Sequence, residues 1–493
     1  MCEKRGKITK VVIFSLLMII YIFALYKVPL QNDTFFDIKL GEKYLSSGID
    51  KSDDFSIHEG LSYIAQHFGV NIITYIIYNS FGFKGLYILG IILTTIIAVL
   101  FYRLNIEFLN RKKLAYIFVF IQIFFMRSFL SVRAQMYSYI LFLIEIILIE
   151  KFAKSKKKIY LIMLCFIPII LINMHAGVIS FYFIILAVYF LNILRLKISK
   201  LEYDENINKV SKFLVIPFVI GLGSIFLNPF GTDAIIYGFK TLSNTFINKY
   251  ISEFQPFSIK NPYGVIILSL VGIIVFTFIF TRKKIKLHHF LLFFGTTFMT
   301  LLSLRHFSLL LICSITSLPY IEDIIDEILI KAISHVSDKA KRQINIIFYG
   351  VIALVIIRFA SVFAIESINE SFLPKDTYPL DAIEYINNNI GKDERIFNEY
   401  TWGSLMMLDD IKVFIDSRAD LYTKEYSGKE DDIGLDYIKI VNCSGNYIKL
   451  LQKYNIDYIF VKKDSNLAKN ILEHMEYEII YQDNISYIIK RVN

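Results

Sequence analysis

The sequence predicts a polytopic α-helical membrane protein of about eleven transmembrane helices with an α/β domain at its C-terminal end. Three observations lead to this fold class. Of the 493 residues, 55% are hydrophobic and only 20% are charged, and a mean hydropathy of +0.52 would leave a soluble chain with large exposed apolar patches. Long apolar runs alternate with short basic segments, and the chain after residue 365 changes in both charge and pattern.

The apolar runs predict the transmembrane helices. About 20 apolar residues span the hydrocarbon core of a bilayer, and somewhat shorter runs are sufficient within a bundle. Eleven such runs are expected. They lie near residues 10–29, 84–102, 113–130, 134–150, 159–173, 177–194, 213–229, 263–281, 287–303, 306–321 and 345–365.

The basic loops then assign the sides of the membrane, because Lys and Arg in short loops stay cytoplasmic. Counting from a cytoplasmic N-terminus with Lys4 and Arg5, every basic loop falls inside. These loops are 103–113, 151–158, 195–212, 282–286 and 331–342. An odd number of crossings therefore predicts a multi-pass protein of the cell membrane with its C-terminal domain outside the cytoplasm.

The apolar run Phe68–Phe81 would reverse this assignment if it crossed the bilayer. It has only about 14 residues, too few for a full span, and Gly82 and Gly85 follow it. We expect an interfacial helix on the outer surface instead. The first outer loop then covers residues 31–83.

Charge divides the chain into two predicted domains, 1–365 and 366–493. The second carries 15 Lys and Arg against 23 Asp and Glu, and the first carries 38 against 21. A basic membrane body with an acidic outer domain fits this division. Nucleic-acid binding is not expected, because the basic residues flank the membrane on the cytoplasmic side, where they face lipid headgroups.

Polar residues of the membrane domain cluster at the outer ends of its helices. Arginine inside a bilayer is costly unless it faces a cavity or a partner, so several arginines on one side predict an outer pocket. The alternative for a single arginine is that it reaches the headgroups. The predicted pocket residues are Arg127, Arg133, Gln135, His175, Arg305, His306 and Arg358, with Glu253 joining them if the loop 231–262 closes as a lid.

Carboxylates beside such a pocket suit glycosyl transfer from a lipid-linked donor. An aspartate near Asp33 can act as general base towards an acceptor hydroxyl. Guanidinium groups hold a phosphate through paired hydrogen bonds. The donor's lipid would lie among the membrane lipids, so the sugar would be transferred outside the cell without a nucleotide.

The C-terminal domain shows short alternating elements typical of a small α/β fold. Helices are expected at 380–389, 447–454 and 467–475, strands at 395–400, 412–416 and 457–462, and a hairpin at 477–491. Trp402 can stack on a sugar or anchor at the membrane interface. Asp416 and Arg418 follow a strand, where they either contact a substrate or pair with each other to fix a loop.

Residues 32–87, which begin NDTFFDIKLGEKYL, resemble the first outer loop of the GT-C superfamily of integral-membrane glycosyltransferases that use polyprenyl-phosphate-linked sugars. The resemblance implies an essential aspartate just past the first helix, followed by two interfacial helices. Asp33 matches that position, and Asp37 stands one turn later on the same face of a helix expected at 34–46. Either aspartate can be the base, and the family's Trp or His is replaced by Phe35 and Phe36.

Shorter segments resemble the same family in order along the chain. They are SVRAQMYSY with an Arg-x-Gln turn, INMHAG, LNPFG, SLRHFSLL with an outer arginine that in relatives meets the donor phosphate, and the tail segments NEYTWGSL and VFIDSRADLY. The resemblance covers nearly the whole chain. It implies an inverting glycosyltransferase with a polyprenyl-phosphate-linked sugar as donor and a cell-surface glycan, lipid or protein as acceptor.

Two other functions stay open at this point. A flippase or transporter of a lipid-linked or anionic solute would use the same arginines without chemistry, but its polar residues should spread through the membrane depth. A non-catalytic envelope-assembly protein would bind cell-wall polymer through the outer domain. No cofactor is required by the sequence, and a divalent cation, Mg²⁺ or Mn²⁺, held by Asp37 or by Asp53 and Asp54 with Asp33, is a further hypothesis.

Overall fold

The computed structural model of the chain describes residues 30–333, 373–428 and 431–492, with isolated positions between 18 and 22 and between 337 and 361. The predicted spans near 10–29 and 345–365 fall largely outside the described residues. The number of about eleven crossings stays a prediction.

The chain forms two compact units, each built from separate stretches of sequence. The first unit comprises Met1–Val28, Ile88–Asn228 and Glu253–Asn369. The second comprises Pro29–Tyr87, Pro229–Ser252 and Glu370–Asn493, so the first predicted loop folds with the C-terminal segment. The division into domains at residue 365 stays a prediction drawn from the linear sequence.

The first unit is almost entirely helical. Its helices are the C-terminal part of α2 (Phe68–Phe108), α3 (Lys112–Met126), α4 (Ala134–Ser155), α5 (Lys158–Met174), α6 (Ile179–Phe190), α7 (Glu205–Ser211), α8 (Val215–Ser224), α11 (Pro262–Phe280), α12 (Leu287–Leu302), α13 (Phe307–Cys313) and α14 (Leu318–Ile333). Three two-residue strands, β1 (Lys197–Ile198), β2 (Leu201–Glu202) and β3 (Ile285–Lys286), form a small sheet in the order β1-β2-β3.

Five helical segments of the described chain are long and apolar enough to cross a membrane: Phe68–Phe108, Ala176–Leu194, Glu205–Leu227, Tyr263–Phe280 and Leu304–Ile328. Shorter apolar helices occupy Leu114–Phe129, Lys158–Met174 and Leu287–Leu302. Only 28% of the most apolar window of Tyr263–Phe280 is buried inside the protein. Such an outward apolar face needs a lipid environment, so the chain is a membrane protein.

The helix α2 contains a break where the sequence predicts the end of a separate interfacial helix. Gly82 has φ 63° and ψ −158°, which is outside the helical region. A residue with a side chain is strained at this φ, whereas glycine adopts it readily. The break divides the segment Phe68–Phe81 from the longer apolar run that follows.

The second unit combines the first loop with an α/β region. It contains α1 (Asn32–Ser46), the start of α2, α9 (Asp233–Ser243), α10 (Thr245–Tyr250), and in the C-terminal segment α15 (Leu380–Asn389), α16 (Tyr400–Leu408), α17 (Lys424–Ser427), α18 (Ile433–Val441), α19 (Tyr447–Lys453) and α20 (Asn466–Ile471). Its four strands are β4 (Ile396–Asn398), β5 (Tyr458–Lys462), β6 (Tyr477–Gln482) and β7 (Ser486–Arg491), in the order β4-β5-β7-β6.

The sheet of the second unit is mixed. β4 pairs with β5 in parallel, whereas β7 is antiparallel to both β5 and β6. The predicted hairpin at 477–491 is thus present as β6 and β7. The strand predicted over Lys412–Asp416 is wrong, because Val413 makes only an isolated bridge to Ser56 of the first loop.

Helix α1 is held inside the second unit rather than lying on its surface. Most of its residues are buried, including Phe35 at 0% and Phe36 at 4% exposure. Lys39 forms an ion pair of 2.6 Å with Asp410, and Tyr378 donates a hydrogen bond to the carbonyl of Leu30. These contacts fix the helix that carries the two candidate aspartates.

Candidate active site

The two aspartates lie one turn apart on α1 but in different surroundings. Asp33 is in the first turn of the helix, where the helix dipole favours a carboxylate, and it is half-buried. Asp37 is 1% exposed. A substrate can therefore reach Asp33 more readily than Asp37.

Asp37 is fixed by two residues at the beginning of α2. Its Oδ1 accepts a hydrogen bond of 2.6 Å from Asn71 Nδ2 and lies 3.0 Å from His67 Nδ1. Burial lowers the pKa of His67, but the charge and hydrogen bond of Asp37 outweigh this effect, so the pKa of His67 is raised from its ordinary value. The carboxylate and the imidazole form a buried, mutually stabilised pair.

A glycine allows these two helices to approach closely. A Cβ atom placed on Gly41 would lie 2.2 Å from the carbonyl oxygen of Asn71, so α1 and the start of α2 almost touch at this point. Asp37 and Gly41 are four residues apart and share a helix face. The close approach therefore brings the Asp37 carboxylate within reach of His67 and Asn71.

Sequence reasoning missed His67 and Asn71. The signal was present, since two polar residues four positions apart at the start of an apolar helix share one face. Their partner Asp37 is 34 positions away from Asn71, a distance at which helical periodicity gives no information.

The first unit contains a small pocket with a cavity volume of about 50 Å³, smaller than the usual ~300–1,000 Å³ of whole small-molecule sites. Six of the predicted residues line it together with Ser138: Arg133, Gln135, His175, Glu253, Arg305 and His306. The structure therefore brings these six positions together around one pocket.

Helix ends position the pocket side chains. Arg133 precedes α4 in an extended conformation, and its Nε donates a hydrogen bond of 2.9 Å to Gln135 Oε1. Arg305 lies in the 3₁₀ turn Leu304–His306 between α12 and α13, with its guanidinium 4.3 Å from the Phe254 ring centroid. Both cations thus lie at the ends of helices rather than within them.

Glu253 and His175 supply the other polar groups of the pocket. Glu253 Oε1 lies 3.4 Å from Arg133 Nη2, with 49% of the Glu253 side chain exposed. His175 Nδ1 lies 2.7 Å from Ser138 Oγ and is buried. Among the described residues that line the pocket, two carry a guanidinium group and one carries a carboxylate, a charge balance that favours an anion.

Arg127 and Arg358 are not among the residues lining this pocket. Arg127 is exposed, and its guanidinium lies 4.3 Å from the Phe124 ring centroid. Arg358 is also exposed. A contribution of Arg127 and Arg358 to phosphate binding stays a prediction, which the geometry of this pocket does not support.

Arg418 and Asp416 form a buried ion cluster in the second unit. Arg418 Nη1 lies 2.7 Å from Asp53 Oδ1 and Arg418 Nη2 lies 2.6 Å from Asp416 Oδ2, and all three side chains are 0% exposed. Burial alone would raise the pKa of Asp53, but the Arg418 charge holds it below its ordinary value. Of the two sequence readings, the geometry matches an Asp–Arg pair that fixes a loop.

Trp402 has no surface for a substrate in this structure. It is 1% exposed, its indole Nε1 donates a hydrogen bond of 3.1 Å to the Thr377 carbonyl, and its ring lies 4.9 Å from that of Phe460. These contacts are those of a core tryptophan. We therefore do not include Trp402, Asp416 and Arg418 in the proposed substrate site.

The first-loop acids do not combine into a cation site in the described part of the chain. Asp53 pairs with Arg418 and Asp54 lies 2.6 Å from Lys43 Nζ, so both carboxylates already have cationic partners. The one set of three ligand-type residues among the described positions is Glu150, His288 and His289.

Known structures share this architecture. The oligosaccharyltransferase of Archaeoglobus fulgidus tethered to an acceptor peptide containing the NVT sequon matches with a TM-score of 0.59 and 11% identity, over 91% of this chain and 68% of that chain. Its apo form gives 0.57 at 12% identity, over 91% and 69%. Its complex with Zn and sulfate gives 0.53 at 12% identity, over 90% and 67%.

No protein-family model matches the chain, and no curated protein matches it in sequence. The likeness is therefore one of fold, carried at 11–12% identity over about nine tenths of the chain. The chain has the fold of this oligosaccharyltransferase, in agreement with the resemblance inferred from the first outer loop.

Proposed function

We propose that the chain is an integral-membrane glycosyltransferase that moves a sugar from a polyprenyl-phosphate-linked donor to an acceptor outside the cytoplasm. The observation that carries this proposal is the pocket that Arg133 and Arg305 line together, with Glu253 as the carboxylate among its described lining residues. Two guanidiniums at the ends of membrane helices are costly without an anionic ligand. The fold shared with an oligosaccharyltransferase supports the same class of reaction.

Arg133 and Arg305 bind the donor phosphate in this proposal. Planar guanidiniums match phosphate oxygens through paired hydrogen bonds, and the N-terminus of α4 next to Arg133 adds partial positive charge. His306 and Gln135 complete the polar lining. As the sugar leaves the donor, negative charge develops on the phosphate, and fixed cations stabilise the transition state more than the ground state.

Asp33 acts as the general base, and Asp37 supports it from one turn away. Asp33 is half-buried, so its carboxylate can meet an acceptor hydroxyl, whereas Asp37 is committed to Asn71 and His67. The pair of Asp37 and His67 keeps the helix face in position. The alternative, in which Asp37 is the base, requires a substrate to displace Asn71 or His67.

The reaction is a single displacement at the anomeric carbon. The acceptor oxygen forms a bond to that carbon, the bond from the carbon to the phosphate oxygen breaks, and the acceptor proton passes to Asp33. Polyprenyl phosphate leaves with the electron pair. Attack opposite the leaving group inverts the configuration at the anomeric carbon.

The acceptor is a cell-surface glycan, lipid or protein. The similar oligosaccharyltransferase of Archaeoglobus fulgidus was solved with a tethered acceptor peptide. A polypeptide is therefore one of the candidate acceptors.

A transfer assay tests the proposed activity. Purified full-length protein is incubated with polyprenyl phosphates bearing radiolabelled sugars and with a cell-envelope fraction as acceptor source. Release of unlabelled polyprenyl phosphate together with label in the acceptor fraction is expected. Movement of intact donor across liposomes without cleavage would contradict the proposal and support a flippase.

Arginine variants then test the phosphate site. Arg305→Gln removes a charge-assisted contact worth roughly 1.5–3 kcal/mol, so the KM for the donor should rise roughly 10- to 100-fold. Arg282→Gln is the matched control, because its side chain is 73% exposed and pairs with Glu327. Equal effects of the two substitutions would remove Arg305 from the donor site.

A further inference from the structure

The helices that carry the pocket residues also carry a second cluster, at the opposite end of α4. Glu150 is near the C-terminal end of α4, and His288 and His289 are near the start of α12. From Gln135 to Glu150 the helix rises about 22 Å, at about 1.5 Å per residue. The cluster is therefore separate from the phosphate pocket.

We propose that Glu150, His288 and His289 bind a zinc-class transition-metal ion that joins α4 to α12. One ligand atom from each residue lies within 4.8 Å of the others. Imidazole nitrogens with one carboxylate are a ligand set suited to zinc, whereas magnesium prefers oxygen ligands alone. This proposal does not rest on the glycosyl transfer proposed above.

The spacing of the ligand atoms fits a tetrahedral ion. His288 Nε2 lies 3.6 Å from Glu150 Oε1, which is too long for a hydrogen bond. Zinc bonds of about 2.0–2.2 Å at tetrahedral angles separate two ligand atoms by about 3.3–3.5 Å. A shift of a few tenths of an ångström would bring the two atoms to that separation.

Burial makes the uncoordinated arrangement unfavourable. Glu150 is 6%, His288 1% and His289 6% exposed. Buried ionisable side chains are costly unless they are paired or coordinate a metal, and a cation bound by the two imidazoles and the carboxylate would compensate the buried charge of Glu150.

Two tyrosines provide an outer layer of the kind that orients metal ligands. Tyr189 donates a hydrogen bond of 3.0 Å to Glu150 Oε1. The Tyr320 hydroxyl lies 2.9 Å from His289 Nδ1, which leaves the other ring nitrogen of His289 for the ion. Ligands held by such second contacts are already oriented before the metal arrives.

Metal analysis tests the site on the full-length protein. Protein purified in detergent without an affinity tag is passed over a chelating resin and analysed for bound metals by mass spectrometry. About one zinc per chain is expected, as three protein ligands and one water complete a tetrahedral site. A wild-type protein that carries no metal and shows no rise in Tm when zinc is added would overturn the proposal.

Variants separate the metal from a simple ion pair of protonated His288 with Glu150. His288→Ala should reduce zinc to background, and Tyr320→Phe should weaken zinc binding by about 10- to 100-fold while keeping all three ligands. Glu145→Gln is the matched control, since Glu145 is on the same helix and 0% exposed but outside the cluster. Zinc content unchanged in His288→Ala, or still unchanged in Tyr320→Phe if His288→Ala does not fold, would contradict the site.

Discussion

The charge on Asp37 is stabilised by local contacts rather than by solvent. Asn71 donates a hydrogen bond to its Oδ1 and His67 lies beside it, and the charge and hydrogen bond of Asp37 raise the pKa of His67 although its partial burial lowers it. The stability that the pair contributes must therefore depend on pH.

Asp37→Asn tests this dependence. A histidine whose folded-state pKa is raised contributes stability that is fully present below its unfolded value of about 6.5 and is lost as pH rises through the folded value. The wild type should therefore exceed Asp37→Asn in Tm most at pH below about 6.5, and the difference should shrink at higher pH. A difference that stays constant or grows with pH would be inconsistent with a protonated His67. Thermal unfolding in detergent across this pH range provides the measurement.

Arg418 is a second residue whose charge is balanced inside the protein. Removing it leaves the carboxylates of Asp53 and Asp416 buried without their cation, and loss of one partner of such a cluster costs about 3–5 kcal/mol. Arg418→Ala should therefore lower Tm strongly. Lys375→Ala, which breaks an exposed pair with Asp381, should leave Tm unchanged. Equal Tm values for both variants would show that the buried cluster does not stabilise the fold.

The sequence identified residues of the right chemistry but not their partners. Asp33 and Asp37 could be placed on one helix face because that relation is local. The partner of Arg418 at Asp53 is 365 positions away, and a pairing over that distance leaves no periodic signal. From the sequence alone, Arg418 could therefore be interpreted as a substrate contact and Asp53 as a metal ligand.

At the scale of elements, patterns of hydrophobicity were informative where an element is amphipathic or long. The helix predicted over 380–389 is present as α15 and the predicted hairpin as β6 and β7. The strand predicted at Lys412–Asp416 was wrong because its apolar run pairs with the first loop, where Val413 N donates to Phe55 O at 3.0 Å. The sequence pattern indicated a buried extended segment, but it did not indicate which segment of the chain pairs with it.

Gly41→Ala tests the packing between α1 and the start of α2. The added Cβ would lie 2.2 Å from the Asn71 carbonyl oxygen, so the two helices must separate and the contacts of Asp37 must weaken. We expect a lower Tm together with lower transfer activity. Gly272→Ala is the control, since no described residue lies within 4 Å of its Cβ position and alanine favours a helix by about 0.8–1.0 kcal/mol. A Gly41→Ala protein with normal Tm and activity would show that the close approach is not required.

At the scale of the whole molecule, the sequence predicted the class of protein and its fold family. Apolar runs and basic loops indicated membrane helices, and the first loop indicated the GT-C fold, which the archaeal oligosaccharyltransferase shares. The assembly of residues 29–87 with 229–252 and 370–493 into one unit was not predicted. This assembly depends on contacts between residues that are far apart in the sequence. Composition and charge along the chain carry no information about such contacts.

Single cysteines test the predicted sidedness. In a variant without native cysteines, Glu59→Cys and Lys469→Cys should react with a membrane-impermeant maleimide in intact cells, because both positions are exposed and predicted to lie outside. Lys157→Cys, also exposed, should react only after permeabilisation. Labelling of residue 157 in intact cells, or protection of residues 59 and 469, would reverse or break the predicted topology.

The most direct measurement is the rate of sugar transfer by Asp33→Asn. Loss of a general base reduces kcat by about 10²–10⁴-fold, whereas donor binding through the arginines should persist. Asp381→Asn, at an exposed C-terminal position, serves as the control and should transfer normally. We expect a folded Asp33→Asn protein that binds the labelled donor but transfers the sugar at least about 100-fold more slowly. Wild-type transfer by Asp33→Asn and by Asp37→Asn would contradict it.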